Sequence, residues 1–116
     1  MIVTAWNNGR YCISGGGYGL KISTKDRDEY FNHDWLDIKL YLPGFLDIIE
    51  ININKESFWG NCRELISKQI GMWLIANRFA PWPKRHPPKF KLIHKKIPSM
   101  GKSVTKIVFR CLNFSV

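Results

Sequence analysis

Nine basic residues in the carboxy-terminal part of the chain form its clearest candidate for a binding surface. They occupy one proline-rich stretch and the apolar segments after it: Lys84, Arg85, Lys89, Lys91, Lys95, Lys96, Lys102, Lys106 and Arg110. Lysine and arginine neutralise phosphates and release counterions, so the pattern predicts a nucleic-acid-binding surface. An ordinary solvated face is the alternative interpretation. Trp82, His86 and Phe90 are interleaved with these residues, and exposed rings can stack on bases, but we interpret Trp82 and Phe90 as packing residues.

The distribution of charge along the 116 residues supports the same expectation. All nine acidic residues lie between Asp26 and Glu64, and that first part, residues 1–64, carries seven basic residues, which gives a formal charge of −2. Residues 65–116 carry eleven Lys or Arg and no Asp or Glu, which gives +11. An asymmetry of this size is typical of a protein with an anionic partner, although it also keeps a protein in solution.

The glycine-rich stretch SGGGYGLKIS, residues 14–23, has four glycines and resembles part of a phosphate-binding loop. A dinucleotide-binding fingerprint needs G-x-G-x-x-G between a strand and a helix. Gly15 and Gly17 fit its first two positions, but Leu20 stands at the third, and the stretch precedes a predicted strand. It therefore predicts a loop with unusual backbone angles. Close approach of its N–H groups to a phosphate is the alternative.

A D-x-K pattern, Asp37 to Lys39, is the main catalytic candidate. With Asp26 and Asp28 upstream, it is similar to the carboxylates and lysine that metal-dependent nucleases place around Mg²⁺ and a scissile phosphate. The solvent face of an alternating strand explains the same residues more simply. We therefore expect no enzyme activity, and a small nuclease is the third hypothesis for function.

Other motifs fail on their spacing. The sequence MGKS at 100–103 ends like a P-loop, but Lys96 stands where the first glycine is needed. The three histidines are isolated and no C-x-x-C occurs, so we expect neither a metal nor a cofactor. Cys62 with His94 as its base is a further catalytic alternative, but the helical pattern predicts that Cys62 is buried and inert.

The predicted strands and helices indicate one α+β domain over residues 1–116, with a mainly antiparallel curved sheet or open pseudobarrel. An Asn-Asn-Gly turn after residues 2–6 predicts a hairpin that returns at Tyr11. Ser23 or Thr24 can cap a short helix. Residues 35–42 and 45–53 alternate as a second hairpin. A helical stripe predicts one long helix from about residue 55 to 77, and four prolines then force an extended path into a third hairpin, 89–97 and 104–114.

Cysteine usage and the lack of long apolar segments predict a cytoplasmic protein. Three widely spaced cysteines do not form a disulfide framework. The first residues lack the pattern of a signal peptide. The longest apolar stretch, residues 70–76, is too short to span a bilayer, so we expect no membrane association.

The motifs WNNG, SGGGYGLKIS, DRDEYF, SFWGNCREL and APWPK…PPKF resemble a widespread family of small uncharacterised bacterial proteins. The resemblance covers roughly residues 6–90 and implies no activity. The order of elements is also similar to the B3-type pseudobarrel, which binds duplex DNA in plant transcription factors and some restriction enzymes, but this likeness implies a fold alone.

Two principal hypotheses follow. The first is a non-catalytic module that binds DNA or RNA through its basic carboxy-terminal half. The second is an accessory factor of a phage, toxin–antitoxin or defence system, whose basic face or proline-rich strip contacts an acidic protein.

Overall fold

The computed structural model describes residues 1–98 and 105–113 of the chain. Within these ranges the helices are α1 Thr24–Tyr30, α2 Glu56–Trp59 and α3 Lys68–Ala76. The strands are β1 Ile2–Asn7, β2 Tyr18–Lys21, β3 Asp37–Tyr41, β4 Ile49–Asn52, β5 Glu64–Ile66, β6 Lys89–Pro98 and β7 Thr105–Asn113.

One seven-stranded sheet, in the order β4-β3-β7-β6-β1-β2-β5, contains all of these strands. Every neighbouring pair is antiparallel except β3 and β7, which are parallel. The outer strands β4 and β5 approach each other, but no ladder joins them within the described ranges. The predicted α+β class with a mainly antiparallel sheet is confirmed, and the sheet is not closed into a barrel.

The core lies on one face of this sheet because alternate side chains of each strand point to the same side. The second predicted hairpin forms, but its strands are shorter than predicted and residues 42–48 connect them. Its inward residues are all buried: Ile38, Leu40, Leu42, Ile49, Ile51 and Ile53. Val3, Leu20, Leu65 and Phe90 extend the same apolar layer across the other strands, and Phe58 and Trp73 cover it from α2 and α3.

The prediction of one long helix over residues 55–77 is wrong. That segment forms α2, then the edge strand β5, then α3. Gly60 ends α2, and Ser67 begins α3 by accepting a hydrogen bond from the N–H of Gln69. Between them Leu65 pairs with Leu20 of β2. Pairing of this segment with β2 therefore overrides the helical pattern. Gly60 and Gly71 also lower the helix propensity of residues 55–77.

The first hairpin also differs from the prediction. The Asn-Asn-Gly sequence does turn the chain, since the Asn7 and Asn8 side chains accept hydrogen bonds from Gly9 N–H and Arg10 N–H. The returning strand, however, begins at Tyr18 and not at Tyr11. Residues 8–17 form a loop whose ends are joined by a hydrogen bond from Asn8 N–H to the Gly17 carbonyl oxygen (3.0 Å).

Two other predicted elements are confirmed. Ser23 caps α1 by accepting a hydrogen bond from the N–H of Asp26 at 3.1 Å. The third hairpin is formed by β6 and β7, which pair from Phe90 and Asn113 to Pro98 and Thr105. Within the described part of the chain, no helix has both the length and the apolar character needed to cross a bilayer.

Candidate nucleic-acid interface

Three lysines lie together on the outer face of the sheet, opposite the core. Lys89 and Lys91 of β6 are exposed, while Phe90 between them is 1% exposed. Thr4 of β1 pairs with Lys89 on one side and with Lys21 of β2 on the other. Two strand spacings put the Cα atoms of Lys21 and Lys89 about 10 Å apart. Lys21 is exposed as well, so the sheet brings a basic residue from the first half of the chain into this group.

Lys84 and Arg85 lie just before β6 in an exposed turn. The N–H of His86 donates to the Pro83 carbonyl oxygen at 2.9 Å, and Arg85 takes a left-handed φ of 66° within this turn. All three side chains, Lys84, Arg85 and His86, are exposed. The turn therefore adds two further exposed cations immediately before β6, the strand that carries Lys89 and Lys91. We call these five residues the basic face: Lys21, Lys84, Arg85, Lys89 and Lys91.

The other predicted site residues fall farther along the β6–β7 hairpin. Lys95 and Lys96 lie on β6, in register with Val108 and Ile107 of β7. Lys106 pairs with Ile97, and Arg110 pairs with Ile93. Strand alternation places positions 89, 91 and 95 on one face of β6 and position 96 on the other. Lys102 lies outside the described residues.

The glycine-rich loop packs against α3. A Cβ at Gly71 of α3 would overlap the carbonyl oxygen of Gly15, and a Cβ at Gly15 would overlap the backbone of Lys68 and Met72. Gly15 and Gly17 also have left-handed φ values of 91° and 80°, as the sequence led us to expect. Gly15 and Gly71 therefore permit a close backbone contact between loop and helix, while Gly17 lies against the Asn8 side chain.

The same loop meets the proline-rich segment in an aromatic cluster. Tyr11, Tyr18 and Trp82 contact one another edge to face, with ring centroids 5.7–6.0 Å apart. Tyr18 is buried at the base of the cluster, and its burial, with the nearby Tyr11 and Cys12, raises its pKa. Phe90 is buried, which agrees with a packing role, whereas Trp82 packs only part of its surface on the core.

One acidic residue, Glu64 of β5, pairs with Lys21 of β2 and is 8% exposed, and most of the others lie on α1 and around the β3–β4 hairpin. Asp37 and Glu50 line a shallow depression of about 380 Å³ beside β3 and β4. Lys39 binds Glu50, and Asp28 binds Arg27 at 3.1 Å, so the lysine of the nuclease pattern and one of its upstream carboxylates have local ionic partners. In the described ranges, no group of three or more His, Cys, Asp or Glu side chains is arranged to hold a metal ion.

The exposure of one cysteine differs from the prediction. Cys62 is exposed, in the bend between α2 and β5, and not buried on a helix. Cys12 is exposed in the glycine-rich loop. Cys111 on β7 is fully buried, and burial raises the pKa of its thiol to about 12. Cys111 therefore stays protonated throughout the neutral range.

No sequence pattern indicated three residues that lie in or near the basic face: Lys21, Arg10 and Tyr11. Lys21 stands alone between apolar residues, and only the pairing of β1 with both β2 and β6 brings it close to Lys89. Arg10 and Tyr11 occupy a segment that the sequence assigned to a turn and strand, whereas they lie on the exposed 8–17 loop. The contact between Tyr11 and Trp82 could not be predicted because it joins two loops far apart in sequence.

Comparison of the chain with protein-family models, curated proteins and solved structures finds no match. The interpretation of the basic face therefore depends on its own geometry and charge.

Proposed function

We propose that the protein is a non-catalytic module that binds nucleic acid through its basic face. The register of the sheet carries this proposal, because it aligns exposed Lys21 with exposed Lys89 across Thr4. Lys91 extends the row along β6, and the turn at 83–86 adds two exposed cations just before that strand. Residues 65–116 contain no acidic residue, and Glu64, which pairs with Lys21, is buried. A row of cations on a sheet is suited to phosphates, since each contact releases a bound counterion.

The separation of charge within the molecule supports the proposal further. Most acidic side chains lie on α1 and around the β3–β4 hairpin, and Glu64 of β5, which pairs with Lys21, is buried. Such a polar distribution orients an anionic polymer toward one surface during encounter. The three cysteines, none of them in a disulfide, fit a reducing compartment, so we place this activity in the cytoplasm.

The test is fluorescence anisotropy with labelled duplex DNA, single-stranded DNA and RNA over a series of salt concentrations. We expect binding that weakens steeply as salt rises. Replacing Lys89 and Lys91 with Gln should lower affinity for every sequence and reduce the slope of log K against log salt by about 0.7–0.9 for each lost contact.

The matched control removes the same charge elsewhere. Lys25 on α1 and Lys68 on α3 are both exposed and lie outside the basic face. A Lys25→Gln/Lys68→Gln variant should keep the wild-type salt slope. Equal effects of the two double variants would show that net charge alone drives binding, and the absence of binding at low salt would refute the proposal.

A protein-binding accessory role is the second candidate, and one observation favours it. Leu46 is 100% exposed and Ile48 is 43% exposed, both in the acidic segment between β3 and β4. A pull-down with the wild-type chain and a Leu46→Ser variant tests this role. One stoichiometric partner, retained by the wild type and lost by the variant, would support it over nucleic-acid binding.

A further inference from the structure

Two loops that are distant in sequence bring two aromatic side chains together at the surface near the basic face. The 8–17 loop carries Tyr11, and the proline-rich segment carries Trp82. Their ring centroids are 5.7 Å apart, and both rings contact Tyr18 beneath them, at 6.0 and 5.9 Å. Tyr18 is only 1% exposed, so it forms the floor of the pair.

The geometry of this pair suits a planar ligand. The Tyr11 and Trp82 rings are inclined at 81° to each other, so they form a corner and not a stack. A flat group that stacks on one ring would present its edge to the other, which is the favoured arrangement for aromatic contacts. Tyr11 is 46% exposed, so about half of its surface is open to such a group.

Exposed cations flank both rings. Arg10 directly precedes Tyr11, and the Asn8 side chain fixes its backbone by accepting the Arg10 N–H at 3.0 Å. Lys84 and Arg85 follow Trp82 within three residues, in the turn closed by His86 and Pro83. Each loop thus offers a ring for a base next to a cation for a phosphate, which is the combination found where proteins bind single strands.

We propose that Tyr11 and Trp82 stack an unpaired base, and that the protein therefore binds single-stranded nucleic acid in preference to duplex. This inference rests on the proposed function and specifies its ligand. A base inside a duplex is covered on both faces by its neighbours, so only an unpaired base can enter the corner. DNA and RNA offer the same stacking surface, because every base has an aromatic face.

The experiment compares four labelled ligands of equal length at one salt concentration: single-stranded DNA, single-stranded RNA, the matching duplex and a strand of abasic sites. The abasic strand keeps the backbone charge and flexibility but has no bases. We expect the single strands to bind roughly tenfold more tightly than the abasic strand, since stacking of one base has an effect of this size.

Variants at Tyr11 connect this preference to the corner. Tyr11→Leu should reduce the affinity for single strands to that for the abasic strand and leave binding of the abasic strand unchanged. Tyr11→Phe keeps the ring and should retain the preference. Tyr41→Leu is the matched control, because Tyr41 has a similar exposure of 42% but lies on β3, away from both loops. Circular dichroism and thermal melting establish that each variant is folded.

The outcomes separate this inference from the proposed function. Salt-dependent binding of all four ligands with equal affinity, unaffected by Tyr11→Leu, would overturn base stacking and leave the basic face intact as a binding surface. Tighter binding of the duplex would overturn the preference for single strands. Failure of every ligand to bind at low salt would refute the proposed function together with this inference.

Discussion

At the scale of single residues, Gly71 is the glycine where an added side chain would overlap its neighbours most closely. It sits in the middle of α3, where glycine weakens a helix, yet its Cα faces the backbone of Gly15 in the glycine-rich loop. Any side chain at position 71 would force the loop away from the helix. The loss of helix propensity is therefore offset by a close contact that only glycine permits.

Replacing Gly71 with Ala should lower the free energy of unfolding by about 2 kcal/mol, because the added methyl group overlaps backbone atoms that cannot move independently. Urea denaturation followed by circular dichroism measures the change. Gly16→Ala is the control, since its new Cβ would meet only the Ser14 hydroxyl at 3.7 Å. If Gly71→Ala is as stable as Gly16→Ala, the loop does not pack on α3 as described.

At the scale of elements, the segment from Glu56 to Ala76 shows what local pattern can and cannot predict. The apolar residues at helical spacing are real, and Ile70, Trp73 and Leu74 do form the buried side of α3. The same spacing includes Leu65, which is buried because it pairs with Leu20 in the sheet. A strand of three residues is too short to show the two-residue alternation of a β-strand, so the apolar pattern alone could not distinguish it from a helix.

The boundary of α3 is set by Ser67, which the prediction of a continuous helix overlooked. Its hydroxyl oxygen accepts the hydrogen bond from Gln69 N–H at 3.2 Å. Ser67→Ala should lower the free energy of unfolding by about 1 kcal/mol, the usual effect of losing a side-chain cap.

Thermal melting of the Ser67→Ala variant tests this cap. Lys68→Ala, at the neighbouring residue, is the control. Lys68 is exposed at the first helical position, and alanine has the highest helix propensity, so Lys68→Ala should be neutral or slightly stabilising. Equal melting temperatures for Ser67→Ala and the wild type would show that the helix begins elsewhere.

At the scale of the whole molecule, the sequence predicted which residues face the core but not the order of the strands. The second and third hairpins could be predicted because each joins two strands that are neighbours in sequence, whereas the 8–17 loop of the first hairpin was not predicted. The parallel contact between β3 and β7 could not, because those strands are separated by more than sixty residues. Four residues of the basic face stand among the nine basic residues singled out in the sequence, whereas Lys21 joins the face only through β1.

Strand β7 connects the two parts of the sheet. On one side it pairs with β3 of the β3–β4 hairpin, and on the other with β6 of the four remaining strands. Replacing the buried Cys111 with Asp places a carboxyl group in an apolar core, which costs several kcal/mol. We expect amide hydrogen exchange in this variant to accelerate together in β3 and in β1.

The control is Cys12→Asp, which makes the same substitution at an exposed loop residue. It should leave the exchange rates of both strands as they are in the wild type. If Cys111→Asp accelerates exchange in β1 alone, the β3–β4 hairpin would be stable without β7, and the sheet would not behave as one cooperative unit.

The central place of β7 also affects how the protein is made. A ribosome releases the chain in sequence order, so β1 to β6 emerge before the strand that joins them. Until then the pairing edges of β3 and β6 are both uncovered, and uncovered edges are sites where nascent chains associate wrongly. This sheet is completed only after β7 has been synthesised, so chaperones can act on the incomplete sheet until that strand emerges.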